Sequence, residues 1–223
     1  MDMCFSMRGL SDEEFEFLKQ KLRDEFSDYY ELAGGKDYRF HHLIRTHRYV
    51  LKLVERPEIN DLDFDLRVLE VASLFHDIGR KEDIEEGFLD PIEAHEGHAE
   101  TGEEIVEDFI SDILSDKDVS KVKEVIGNHH SEPEKVETKI LQDADTLGFF
   151  GPMNIWRMIH YASDKERELE ETFEYFWTEG RRQKQEKLES LHFESSKRIA
   201  RRRLQKFEET MNEIEKEHYG EDI

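Results

Sequence analysis

Residues 72–81, "ASLFHDIGRK", hold the feature on which the reading of this chain turns. An apolar run (Val71, Ala72, Leu74, Phe75, Ile78) carries an adjacent His76 and Asp77 and then stops at Gly79. Burying an imidazole beside a carboxylate costs free energy unless both find partners. The run itself has the length and spacing of a buried helix. Its polar pair must therefore be matched by polar residues that other helices turn inward.

The flanking sequence supplies such helices. Ser11, followed three residues on by Glu14, is a capping signature for a helix carrying Phe15, Leu18 and Leu22, with Gly34-Gly35 as its stop. Further helices are predicted over roughly 40–55, 62–78, 93–114, 118–130, 135–147 and 152–163, with boundaries uncertain by ~2–4 residues. No strand alternation and no internal repeat is visible. From about residue 165 the chain becomes long, charged and helical. Two amphipathic stripes (Leu169, Phe173, Phe176; then Leu204, Phe207, Met211, Ile214) predict helices that pack on the body or on a second copy. "RIARRRLQK", residues 198–206, is a basic patch best read as pairing with the many glutamates.

Composition bounds the answer. The 223 residues suffice for one domain with a substantial core. Charged residues make up 39% against about 25% in an ordinary soluble protein, yet the apolar 36% is clustered and periodic, so the chain is read as folded. The net charge of −23 repels nucleic acid phosphates. A single cysteine, Cys4, excludes a disulfide framework and a cysteine-rich zinc site. The start "MDMCFSMRGL" has no apolar core of secretory type, and no 18-residue apolar stretch exists, so a cytoplasmic protein without a membrane span is expected.

The inward polar residues come from five predicted helices: His47, flanked by Leu43, Val50 and Leu51; His76-Asp77; His98, seven before Ile105; His129, three after Ile126; and Asp145, four after Leu141. Any one of them alone reads best as a hydrogen-bonded core residue. Together, imidazoles and carboxylates on successive helices are how an all-α protein builds a metal site. Such donors suit Mn, Fe, Co, Ni, Zn or Mg.

At this point the sequence resembles the HD-domain metal-dependent phosphohydrolases. The ordered set His47, His76-Asp77 and Asp145 matches, as do the contexts "THRYVLKL", "LFHDIG" and "ILQDADTLGFFG", over roughly residues 38–165. "GHAETGEEI" and "NHH" are similar to the extra histidines of many members. "FESSKRIARRRLQKFEETM" is similar to the C-terminal helices of a predicted-phosphohydrolase subgroup. The resemblance implies an all-α HD-domain helical bundle with long C-terminal helices packed on it. The whole of 1–223 would be one HD domain: an N-terminal helix within 11–33, a core of about 38–165 and an extension of about 165–217.

It also implies that His47, His76, Asp77 and Asp145 bind a first divalent ion. His98 and His129 would line a second position, with His95 and His130 as alternatives. Asp77 would bridge two ions and orient water. Arg80 and Lys81, just past the helix end, would hold substrate oxygens or else complement the helix C-terminal dipole, the dipole role being the better reading for Lys81, and Asp143 reads as a solvent-facing residue or a partner of the ligating imidazoles. The expected activity is hydrolysis of a nucleotide or other small phosphate ester, with a homodimer through the C-terminal helices as a further expectation. Two alternatives stay open: a non-catalytic metal- or nucleotide-binding sensor, and a helical interaction protein whose histidines are core residues. Where nucleoside monophosphatases of the family carry a glutamate three residues after the HD aspartate, this chain has Arg80. The Gly-Tyr-Pro signature of the cyclic-dinucleotide branch is replaced by "SEPEKVE".

Overall fold

The computed structural model describes residues 9–27, 29–31, 33–81 and 97–223. Twelve α-helices occur among the described residues: α1 Asp12–Glu25, α2 Tyr38–Val54, α3 Pro57–Asn60, α4 Leu66–Phe75, α5 His98–Ile105, α6 Glu107–Ile110, α7 Asp116–Gly127, α8 Val136–Thr146, α9 Met153–Asp164, α10 Leu169–Tyr175, α11 Arg181–Ser190 and α12 Glu194–Tyr219. A 3-10 turn, Leu147–Phe149, follows α8, and a π-helical turn, Phe176–Gly180, joins α10 to α11. The architecture is an all-α bundle with long C-terminal helices packed on it.

Helix α4 is the axis. Every residue from Val68 to Phe75 is buried, as a helix that is apolar nearly all round requires. Asp65 caps it by accepting from the Val68 amide at 3.3 Å. Helices α2, α7 and α8 pack around it, and α5 packs on α7. Each fully buried Leu, Val or Phe of this layer contributes about 1.5–3 kcal/mol.

The Ser11–Glu14 capping box forms as the sequence implies. Arg67 of α4 then pairs with Glu14 at 2.6 Å and ties α1 to the axis. α1 ends at Glu25, well short of Gly34. The chain between turns back through an antiparallel pair, β1 Tyr30–Glu31 on β2 Gly35–Lys36, where no strand was expected. Two-residue strands leave no alternation to read. The predicted 93–114 helix is also broken: α5 and α6 meet at Val106, and the residues before 97 lie outside the described chain.

The tail forms three α-helices rather than two. Leu188, Leu191 and Ala200 enter the main core, while Phe173, Phe176, Phe207 and Met211 close with Ile155 into a second cluster. The predicted stripes are thus largely covered within the chain. Asp143 is buried, not solvent-facing, and it pins this extension by accepting the backbone amides of His192 at 2.8 Å and Phe193 at 3.1 Å. In the basic patch, Arg203 donates to the Leu147 carbonyl at 2.9 Å. Among the described residues no helix is long and apolar enough to cross a membrane.

Candidate metal centre

The chain end of α4 meets four other helices at one point. Beyond Phe75 the helix gives way to a turn that presents His76 and Asp77. Gly79 allows close approach: a methyl there would overlap the His98 carbonyl oxygen at the start of α5. α2 brings Arg39 and His42, the residues just past α7 bring His129 and His130, and the end of α8 brings Asp145.

Asp77 is the hub. Its Oδ2 lies 3.2 Å from His42 Nε2 and 3.4 Å from His76 Nε2, and accepts a hydrogen bond from Arg39 Nη1. Its Oδ1 lies 3.2 Å from His98 Nε2 and 3.8 Å from His129 Nε2. Asp145 Oδ1 closes the first side, 3.1 Å from His42 Nε2 and 3.7 Å from His76 Nε2. His130 Nε2 closes the second, 2.9 Å from His98 Nε2. Two donor groups able to hold a metal result, His42 with His76 and Asp77, and Asp77 with His98, His129 and His130.

The protonation states suit ligation. His76 Nδ1 donates to the Ser73 carbonyl at 3.0 Å and His129 Nδ1 to the Ile126 carbonyl at 2.5 Å, which turns each Nε2 toward Asp77. The buried His129 Nε2 makes no hydrogen bond among the described residues. Burial opposes ionisation of Asp77 and Asp145, yet Arg39 and His76 for the first, and His42 and His76 for the second, hold both carboxyls well below the usual range. Burial pushes His98 down and, with His129 beside it, pushes His130 to about 3, so both imidazoles are neutral at pH 7. Ionised carboxylates and neutral imidazoles are the forms a divalent cation binds.

Arg39 is itself buried and bidentate to Glu31, at 2.9 and 2.5 Å, so one guanidinium joins the β1 strand to the hub. Arg80 is buried with Nε 3.9 Å from Asp77 Oδ1. Lys81 pairs with Glu25 of α1 at 2.8 Å.

The sequence-predicted residues divide clearly. His76, Asp77, His98, His129 and Asp145 converge, with His130 beside them. His95 lies outside the described residues. His47 is placed elsewhere: its ring stacks on Phe15 at 4.9 Å, and its nitrogens make no hydrogen bond among the described residues. Burial, with Arg48 nearby, pushes it to about 4. The imidazole that α2 brings to Asp77 is His42. Apolar neighbours at i−4, i+3 and i+4 pointed to His47. His42 instead lies on a stripe with Tyr38, Arg39 and Thr46, all buried. That polar buried edge was the available signal, because a metal sits beside the apolar face and not in its middle.

Residues 39–148 match the HD domain family model. No curated protein matches the chain. Solved structures of similar fold include Bacillus subtilis YpgQ in complex with ADP, at 19% identity and a TM-score of 0.61 over 92% of this chain and 100% of that one. A predicted HD superfamily hydrolase from an uncultured Thermotogales bacterium is 23% identical, with a TM-score of 0.62 over 91% of each chain. The Lin1889 protein of Listeria innocua is 18% identical, with a TM-score of 0.60 over 94% and 98%. At these identities the likeness is one of fold.

Proposed function

Residues 39–148 belong to the HD domain family, and on that premise we propose that the protein is a metal-dependent phosphohydrolase of a nucleotide or another small phosphate ester. The observation that carries this reading is Asp77, a buried ionised carboxylate with one oxygen turned to each of two imidazole groups.

His42, His76, Asp77 and Asp145 would hold one divalent ion, and Asp77 with His98, His129 and His130 a second. Nitrogen and carboxylate donors without thiolate fit Mn, Fe, Co, Ni, Zn or Mg. A metal so held supplies positive charge to phosphoryl oxygens and acidifies water toward neutral pH.

The protein's own residues supply the rest. Asp77 orients the attacking water from the hub. Arg80, past the end of α4 with its Nε 3.9 Å from Asp77 Oδ1, would hold phosphoryl oxygens by charge-assisted hydrogen bonds. Arg39 is committed to Glu31 and Asp77, so it fixes the hub rather than the substrate. Lys81 pairs with Glu25 of α1. The buried wall of α4 keeps water from the back of the centre and strengthens each charge interaction. The ADP complex of Bacillus subtilis YpgQ supports a nucleotide as the ligand class. The −23 net charge supports a small ligand over a long nucleic acid, because surface charge is screened beyond about 8–10 Å while site charges act at contact.

The test is turnover of a phosphate-ester panel by metal-stripped protein resupplied with Mn²⁺, Co²⁺, Ni²⁺ or Mg²⁺. The wild type is expected to hydrolyse at least one ester only when metal is present, and Asp77→Ala to abolish this. Metal binding without turnover of any ester would favour a sensor instead.

A further inference from the structure

Three cations from beyond the HD-matched segment gather on one flank of the metal centre. Lys184 and Lys187 come from α11 and Arg157 from α9. Phe149, one turn past Asp145, is their common contact. Lys187 Nζ stands 4.0 Å from its ring centroid and the Arg157 guanidinium 5.5 Å, while Lys184 Nζ donates to its carbonyl at 3.0 Å. The Arg157 guanidinium also stands 5.3 Å over the ring of Tyr38, and Tyr38 stacks on His42 at 6.1 Å. A chain of ring contacts thus runs from the hub to the cations.

Collecting like charges partly out of water is unfavourable unless an anion offsets it. Burial, then Arg157 and Lys187, pull Lys184 down to about 8. Lys184 is otherwise satisfied, with a second acceptor in Asn154 Oδ1 at 2.6 Å. Arg157 spends its Nε on the Ala33 carbonyl at 3.3 Å. Lys187 differs. It is half-buried and its ammonium makes no hydrogen bond or ion pair with any described residue, in a chain with 55 acidic and 32 basic residues. The carboxylate whose field reaches it is that of Asp145.

We propose that Lys187, with Arg157 beside it, is an anion subsite that binds the phosphate group of the substrate, so that the C-terminal extension completes the site. The inference rests on the reading of the centre as one that takes a phosphate ester. It gives the extension a role in substrate binding: α11, held by Asp143 and by the burial of Leu188, places the ammonium by rigid packing.

The experiment uses the full chain loaded with Mn²⁺ and inorganic phosphate as probe, titrated calorimetrically, with Mn²⁺ affinity read separately by electron paramagnetic resonance. Losing a charge-assisted contact corresponds to a loss of about ten- to a hundredfold in affinity. Lys187→Gln is expected to weaken phosphate binding by that factor at unchanged Mn²⁺ affinity, Lys187→Arg to restore most of it, and Arg157→Gln to weaken it in the same direction. In turnover the Lys187→Gln loss is expected in KM more than in kcat. The proposal is overturned if wild type holds Mn²⁺ but binds no phosphate, if both Gln variants bind phosphate like wild type, or if Mn²⁺ affinity falls in step with phosphate affinity. Lys187-dependent phosphate binding in a protein that turns over no ester would sink the hydrolase reading and uphold the subsite.

Discussion

His42 Nε2 lies 3.2 Å from Asp77 Oδ2, while His47, five residues on in the same helix, faces Phe15. The two histidines of α2 therefore have opposite environments, one against carboxylates and one against an aromatic ring. Exchanging each for an apolar residue separates a ligand from a core residue. His42→Ala is expected to lower metal affinity by at least about tenfold, since even outer-shell partners are worth 10–100-fold, and to lose turnover with it. His47→Leu is expected to keep the metal content of wild type, measured by elemental analysis, and to gain roughly 1 kcal/mol of stability by removing buried nitrogens without partners. Metal loss in His47→Leu and retention in His42→Ala would reverse the assignment.

His47 also sets a pH dependence. Its imidazole is pushed from 6.5 to about 4, mainly by burial, so between those values the unfolded chain binds more protons than the folded one. Stability is then fully present above about 6.5 and falls as pH drops toward 4. At 1.36 kcal/mol per unit the shift corresponds to about 3 kcal/mol. Urea titrations of metal-free protein at pH 4.5 and 7 should show this slope in wild type and a shallower one in His47→Leu. Equal slopes would mean that His47 does not titrate with unfolding.

The Glu31–Arg39–Asp77 chain predicts strong coupling. Both members of the Glu31–Arg39 pair are nearly inaccessible, with side chains 7% and 8% exposed. Arg39→Met strands two buried carboxylates and is expected to cost about 3–5 kcal/mol. Adding Glu31→Gln removes one stranded charge and should return part of that. Additive losses in the double variant, measured by denaturant unfolding, would show that the pair is not coupled.

Gly79 tests whether the second donor group is separable from the first. A methyl at this position meets the His98 carbonyl and, at 2.7 Å, the Gly102 nitrogen, so Gly79→Ala must push α5 away from Asp77. Overpacking of this kind costs about 1–3 kcal/mol. The expected result is weakened binding at the His98 side with the His42 side retained, seen as a change in Mn²⁺ stoichiometry. Unchanged stoichiometry and affinity would show that α5 takes no part.

Much of this arrangement was legible in the chain. The run ending at His76-Asp77 is apolar on every side because α4 is buried on every side. His98, His129 and Asp145 each sit where an apolar period points inward. What was not legible has physical causes. The hairpin Tyr30–Lys36 pairs too few residues to show a period. α1 stops at Glu25, ahead of the glycines, because Phe26 turns into the core. His42 does not stand out in the sequence because its neighbours along the stripe are polar, and a polar stripe reads as surface until a second helix covers it. Asp143 read as exposed because its partners, the amides of His192 and Phe193, lie 49 and 50 residues away. Lys187 carries no motif, and only the packing of α11 beside Phe149 gives it a place.

The most direct measurement is anomalous scattering from a crystal of the protein grown with Mn²⁺. A peak bounded by His42, His76, Asp77 and Asp145 is the predicted result, with any second peak between Asp77 and His98, His129 and His130. No peak at Asp77, or a peak whose α2 ligand is His47, would contradict the account.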